Sequence, residues 1–410
     1  MTDALLVAGG GEAVAGDGQA WPGGGAAVAG GAGAGGELLL HADLHNHTRL
    51  SDGDGWAEEA FASMRAAGLD VAAITDHAYG ISEPAKTIDD EGWRRIGKLA
   101  DAADEPGAFV AVRGFEWSST SLGHMNVWGG ERWVEPLPLV SDGVPSGSAI
   151  ADEGPADGPA AVLAFHDWLA AGDELVGFNH PGREPGRFGM FRYDPRLAER
   201  LVALEMFNRD EDYLFEGVDA GVSPLVACLD AGWRVGLAGV TDEHRGGWGF
   251  HDGLGRTGLW APERSRGGVR AAMLRRRMFA TRERGLRVDA RLGGVAMGAT
   301  QRLDRINADK SGYVRIEVDF FAPDDWVGHP LRLQVLQRGE PVPAIVAEFE
   351  FRVVNRTLSF PVRIDDDAGD WVVLRITDPG RAADARAARL EGYRSAGLAV
   401  AYLSPFFVSR

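Results

Sequence analysis

His45 and His47 stand two residues apart, so on an extended strand both rings leave the same face. Asp242 and His244 repeat that spacing late in the chain. Between them come Asp52 in the turn Ser51-Asp52-Gly53, His77, Glu116, His124 in Gly123-His124-Met125-Asn126, and His180 in Asn179-His180-Pro181-Gly182. Six of the ten histidines belong to this set, and each falls where an apolar run ends or turns. Imidazole with carboxylate and no thiolate is a donor set for zinc, manganese or iron, not for a soft metal. The chemistry these residues offer is therefore the coordination of divalent ions at one convergent site.

Other residues near the same run ends could handle a substrate. Arg183, Arg209 and Arg245 could grip a phosphate bidentately. Glu205 and Asn208 could line the pocket, though Glu205 could equally bond backbone. Trp117, Trp128 and Trp248 could form an apolar wall. His251 sits in a glycine-rich loop, 246–255, that could cover the site.

Something must bring these scattered positions together. Short apolar runs, such as Leu38-Leu39-Leu40 and Val71-Ala72-Ala73-Ile74, end repeatedly in His, Asp or Glu. Runs like these read as strands buried on both faces, as in a parallel sheet. Segments 56–67, 91–103 and 159–171 read as helices between them. Such alternation predicts an α/β fold, either a closed barrel or a doubly wound sheet. Polar residues at the ends of many strands favour the barrel, whose active sites form at that face. After about residue 285 the pattern changes to period two, as in Val314, Ile316, Val318 and Phe320. This predicts an antiparallel β-sandwich over 286–410, with a helix at 381–397 and a last strand at 399–408. Residues 1–36 carry no Lys or Arg and are rich in Gly and Ala, which predicts a flexible tail before a barrel at 37–285.

The set Asp43-Leu44-His45-Asn46-His47-Thr48, Ser51-Asp52-Gly53, Thr75-Asp76-His77, Gly114-Phe115-Glu116, Asn179-His180-Pro181 and Thr241-Asp242-Glu243-His244 resembles the polymerase-and-histidinol-phosphatase (PHP) superfamily. The likeness spans roughly residues 38–260. It implies a distorted (β/α)7 barrel holding two or three metal ions. It also implies that His45, His47, Glu116 and Asp242 hold the first ion, with Glu116 bridging to a second completed by His124 and His180. Asp52, His77 and His244 would hold a third. Some relatives place His where this chain has Asp52, so metal preference is expected to vary. Looser motifs, among them Gly255-Arg256-Thr257-Gly258-Leu259 and Arg277-Met278-Phe279-Ala280-Thr281, resemble the carbaryl-hydrolase branch. A trinuclear centre of this kind suits hydrolysis by a metal-bridging hydroxide held by Glu116 and Asp242. Asp76 and Glu243 could orient ligand imidazoles from behind.

The chain of 410 residues carries 42 Lys+Arg against 60 Asp+Glu, a net charge of −18. That excludes a long nucleic acid or an anionic membrane surface as the main partner. A small-molecule substrate is the expectation, and nothing in the sequence reports on oligomeric state. No run of 18 apolar residues exists to span a membrane, and the apolar run at 5–8 is too short for a signal-peptide core. The single cysteine, Cys228, excludes an intrachain disulfide and any Cys-based metal site, and a cytoplasmic setting is expected. The function expected is metal-dependent phosphoester hydrolysis. The alternatives are carbamate or aryl-ester hydrolysis on the same centre and a non-catalytic binding module.

Overall fold

The computed structural model describes residues 14–15, 36–78, 87–119, 122–134, 159–184, 186–218, 221–250, 254–302, 314–321, 326–354, 356–365 and 367–409. The tail expected at 1–36 lies outside these residues except at 14–15 and 36, and His251 lies outside them too.

The architecture is mixed α/β. Seven strands carry the candidate site: β1 (Leu38–Asp43), β2 (Val71–Ile74), β3 (Val110–Ser119), β4 (Gly123–Trp128), β5 (Leu175–Phe178), β6 (Leu201–Asn208) and β7 (Gly236–Val240). They are hydrogen-bonded in the order β7-β6-β5-β4-β3-β2-β1. The two ends of this path meet just past the strands, where Asn46 and Glu243 form a parallel bridge and the His47 N–H donates to the Glu243 carbonyl at 2.9 Å. Most neighbours are parallel, as the buried apolar runs predict. The exception is β4, antiparallel to both β3 and β5. It follows β3 after a short turn, and strands joined that closely can pair only in opposite directions.

Side chains of one strand alternate between two cores. Val71 and Ala73 join a cluster with Leu40, Ala42, Val202, Ala238 and Val240, whereas Ala72 and Ile74 face a second cluster beneath the helices. Helix α1 (Ala57–Ala66) buries Ala57, Ala60, Phe61 and Met64, the one-sided stripe that its spacing predicts. Helix α2 (Asp90–Ala103) starts where Asp89 accepts the Gly92 N–H at 2.7 Å, and α3 spans Pro159–Ala170.

The large sheet continues from β1 through β8 (Arg256–Ala261) and β9 (Met278–Thr281) into strands of the C-terminal third. A second sheet contains β10 (Arg287–Leu292), β11 (Val314–Phe321) and β14 (Arg356–Val362); the large sheet takes β12 (Pro330–Gln337), β13 (Ala344–Arg352), β15 (Trp371–Asp378) and β16 (Leu398–Ser409). Pairs among these strands are antiparallel, and a short strand at Thr300–Arg302 adds to β16 in parallel. One apolar cluster takes Val288 and Phe360 from one sheet and Leu333 and Leu374 from the other. The helix expected at 381–397 is not formed. That stretch is turns with one short 3-10 segment at Ala387–Arg389, and Gly392 and Gly397 both adopt positive φ.

Candidate metal centre

The first four residues past β1 carry His45 and His47 beyond the C-terminal end of that strand. Their Nε2 atoms stand 3.0 Å apart. Asp43 fixes this segment to the last strand, accepting from the Thr241 N–H and hydroxyl. The turn that presents Asp52 is fixed differently. The buried Asp76 carboxylate accepts from the Thr48 N–H at 2.7 Å, the Thr48 hydroxyl at 2.8 Å and the Ser51 hydroxyl at 2.6 Å. Asp76 thus shapes the loop under Asp52, and the bond to an imidazole expected of it is not among those formed. Gly53 lies so close to the His47–Thr48 backbone that a Cβ there would sit 2.8 Å from its atoms.

Glu116, wholly buried on β3, is the centre of the cluster. Its Oε1 lies 3.2 Å from His45 Nε2, 3.3 Å from His124 Nδ1 and 3.3 Å from His180 Nε2. Its Oε2 lies 2.8 Å from His77 Nδ1 and 3.5 Å from His47 Nε2. Asp242 closes one side, with Oδ1 3.5 Å from His45, 3.4 Å from His47 and 3.4 Å from His244. Asp52 closes another, 3.6 Å from His47, 3.6 Å from His77 and 3.4 Å from His244. All nine residues expected as ligands are therefore brought together. Glu184, four residues after His180, makes a tenth, with Oε2 3.5 Å from His180 Nδ1. The i to i+4 spacing in His180-Pro181-Gly182-Arg183-Glu184 was the available signal, but it is weak outside a helix.

His180 and Asp242 hold left-handed backbone at φ 26° and 49°, an arrangement that costs roughly 1–3 kcal/mol per residue. Their surroundings must stabilise it, and both sit at the cluster.

The electrostatics follow from packing many donors into a buried space. Burial alone would lower His45, but the carboxylates of Glu116, Asp242 and Glu205 outweigh it and hold the ring well above its usual range. Burial, then the neighbouring His77 and His244, push His47 down to about 3. Against burial, Glu116 and Asp52 raise His77 to about 10, and hydrogen bonds to Glu116 and Glu184 raise His180 to about 9. Burial opposes ionisation of Glu116 and Asp242, yet the surrounding imidazoles hold both carboxylates well below their ordinary range.

The donor set fits divalent ions. Ligand atoms bound at about 2.0–2.2 Å to one ion stand about 3.0–3.5 Å from each other in tetrahedral or octahedral shells, the spacing found here. Among the described residues four groups bring their donor atoms within 4.8 Å of one another: His45, His47 and Asp242; His47, Asp52, His77 and His244; His77, Glu116 and His124; and His124, His180 and Glu184. His47 Nδ1, Glu116 Oε2, His124 Nδ1, His180 Nδ1 and Glu184 Oε2 are buried against other members of the same donor set: Asp52 at 3.6 Å, His77 at 2.8 Å, Glu116 at 3.3 Å and, for the last two, one another at 3.5 Å. Shared protons or a divalent ion must satisfy atoms packed in this way.

The remaining expected residues divide. Arg183 and Arg209 lie at the cluster, 3.5 Å and 3.3 Å from the outer oxygen of Asp242. Arg245 is exposed, and its N–H is bonded to the Glu243 carboxylate. Glu205 accepts from the His180 N–H at 2.7 Å and meets His45 Nδ1 at 2.8 Å. Asn208 donates to Glu205 and accepts from Arg183. The aromatic wall is not formed by the expected residues. Trp117 is stacked in the core on Phe165 at 4.5 Å, because neighbours on a strand face opposite ways and Glu116 takes the site side. Trp128 and Trp248 are buried too, donating to the carbonyls of Leu44 and His47.

No family model matches the chain, and no curated protein matches it. Among solved structures it is similar to a two-domain protein containing a predicted PHP-like metal-dependent phosphoesterase from Bacteroides vulgatus, with 17% identity over 84% of this chain and 92% of that one and a TM-score of 0.41. It is also similar to a candidate metal-dependent phosphoesterase from Bifidobacterium adolescentis, with 15% identity over 50% of this chain and 88% of that one and a TM-score of 0.28.

Proposed function

We propose that the protein is a metal-dependent hydrolase of phosphate esters, built on a PHP-type seven-stranded barrel at 37–285 followed by a β-sandwich at 286–410. The observation that carries this reading is the pair of guanidinium groups, Arg183 and Arg209, placed against Asp242 at the edge of the donor cluster. His45, His47, Glu116 and Asp242 would hold one divalent ion, Glu116, His124 and His180 a second, and Asp52, His77 and His244 a third. Zinc, manganese and iron all suit these donors. When bound, such ions lower the pKa of a coordinated water and polarise a phosphoryl oxygen.

The chain's own residues supply the rest. Arg183 and Arg209 face the site from one side and would bind non-bridging phosphate oxygens through charge-assisted hydrogen bonds. Glu205 holds His45 in one ring orientation from behind and pins the His180 backbone at the same time. Asn179 donates to Glu116 at 2.6 Å and fixes that carboxylate. Trp117, Trp128 and Trp248 are buried and do not form the apolar wall that would favour an apolar ester.

The test is a panel of nitrophenyl phosphates, phosphodiesters, carboxyl esters and carbamates, assayed with zinc, manganese and iron. Phosphoester turnover that falls in R183A and R209A is the expected result. Turnover of carboxyl esters alone, or protein without bound metal and without activity, would overturn the reading.

A further inference from the structure

A second cavity, of about 890 Å³, opens at the other end of the strands. It is lined by Glu37, just before β1, and by Arg234, just before β7, whereas the donor cluster lies past the opposite ends of these strands. The six residues of β1, at about 3.3 Å each, put roughly 20 Å between the two.

Its charge runs against that of the molecule. Five arginines line it, Arg234, Arg275, Arg276, Arg277 and Arg291, against two glutamates, Glu37 and Glu199. Arg277 is neutralised by Glu37 at 2.7 Å and Asp289 at 2.6 Å. Glu37 then lies 3.5 Å from Arg275. Arg276 is buried, and its guanidinium is spent on the carbonyls of Ala198, Glu199, Arg234 and Leu274. The carboxylate paired with it, Glu199, stands 3.9 Å away and is 91% exposed, too solvated to cancel it. Arg291 donates to the Gly294 carbonyl. Setting Arg234, Arg275, Arg276 and Arg277 against Glu37, Glu199 and Asp289 leaves an excess of one positive charge, on a chain of net charge −18.

The arginine corner is also built rigidly. Arg276 holds left-handed backbone at φ 53°. Gly298 packs so closely on it that a Cβ would fall 2.4 Å from the Arg276 carbonyl oxygen and 2.6 Å from that of Arg275. Beside the corner Tyr193 is 42% exposed, whereas Phe407 is buried with Arg234 5.8 Å over its ring.

We propose that this cavity is a second ligand site, for a small phosphorylated molecule bearing a planar ring, of the nucleotide class. Arg234 and Arg275, both exposed, take the phosphates, and the exposed Tyr193 takes the ring. Such a ligand fits the volume, which lies within the usual range of about 300–1,000 Å³ for small-molecule sites. The site is independent of the hydrolytic reading, since it shares no residue with the donor cluster.

The test is calorimetric titration of the purified full chain with the methylene-bridged analogue of ADP. Wild type and the R183A/R209A variant are expected to bind it alike. The R234A/R275A variant is expected to bind it more weakly, by roughly tenfold for each guanidinium removed. Both substituted positions are on the surface, and an unchanged melting temperature checks that the variant folds. Absence of binding at millimolar analogue, or binding that R183A/R209A abolishes and R234A/R275A leaves intact, overturns the proposal. Inorganic pyrophosphate is the second probe. It is expected to bind more weakly than the analogue, and equal affinity overturns the role given to the ring.

Discussion

Glu116 meets five imidazoles, and the removal of its charge tests the whole cluster at once. E116Q is expected to lower bound metal below that of wild type, read by elemental analysis of the purified protein, and to abolish turnover with it. E205A acts from further out. It frees the His45 ring and the His180 N–H, and a loss of about 10–100-fold in metal affinity is expected. Protons compete with metal for these same atoms. His77 and His180 are raised from 6.5 to about 10 and about 9. In the metal-free chain their stabilising contribution is therefore complete below about 6.5 and is lost as pH rises through about 9 and 10. Near pH 7 both rings carry protons that a metal must displace. Zinc binding is then expected to release protons and to tighten as pH rises, with a calorimetric enthalpy that depends on the buffer's own protonation enthalpy. A buffer-independent enthalpy would contradict this. Most of the site was legible at this scale, because the ligand candidates follow buried apolar runs, and residues just past the C-terminal ends of neighbouring parallel strands lie together. Glu184 was not, since its approach to His180 depends on how an irregular loop turns. The tryptophans misled because residue type does not report which face of a strand is the site side.

The elements were read unevenly, and the reason differs from case to case. Apolar runs and helical stripes are local patterns, so β1, β2, β6 and α1 to α3 follow from the sequence. The direction of β4 is a pairing property, and its apolar run is silent about direction. The stretch 381–397 is rich in Ala and Arg, which favour a helix. It nevertheless joins β15 to β16, neighbouring antiparallel strands, and two glycines at positive φ turn the chain instead. The turn after β1 carries a prediction at this scale. In G53A the new methyl would press on the His47–Thr48 backbone and displace Asp52. A loss of roughly 1–3 kcal/mol in urea unfolding is expected. Metal content should fall through the site of Asp52, His77 and His244, with the site of His124 and His180 retained.

At the scale of the molecule, the C-terminal strands hold the site-bearing strands as well as extend their sheet. Tyr402 on β16 donates its hydroxyl proton to Asp212, and Arg375 on β15 donates to the oxygen of that hydroxyl. Ser404 accepts the Leu237 N–H of β7 at 3.0 Å. Y402F removes the shared hydroxyl and leaves buried Asp212 and Arg375 short of a partner. It is expected to cost about 1–3 kcal/mol in a single cooperative unfolding transition. Two transitions would mean that the two regions unfold separately. The period-two strands of this region were legible, but the hydrogen bonds from Tyr402 to Asp212 and from Leu237 to Ser404 were not, because they join residues 190 and 167 apart. The net charge of −18 likewise gave no hint of an arginine-lined cavity, since a sum over the chain has no geometry.

The first and last of the seven strands meet through the bridge of Asn46 and Glu243, and each of these residues stands between two metal-ligand candidates. His45 and His47 lie on one edge of the seam, and Asp242 and His244 on the other. An ion shared across it would be a cross-link between the first strand and the last, with Asp43 and Thr241, 198 residues apart, just beneath. Closing a loop that long carries an entropy cost that grows with the logarithm of its length. Metal bound at the seam and lost on unfolding would offset much of that cost with its binding energy, so that the ions would also rivet the first strand to the last.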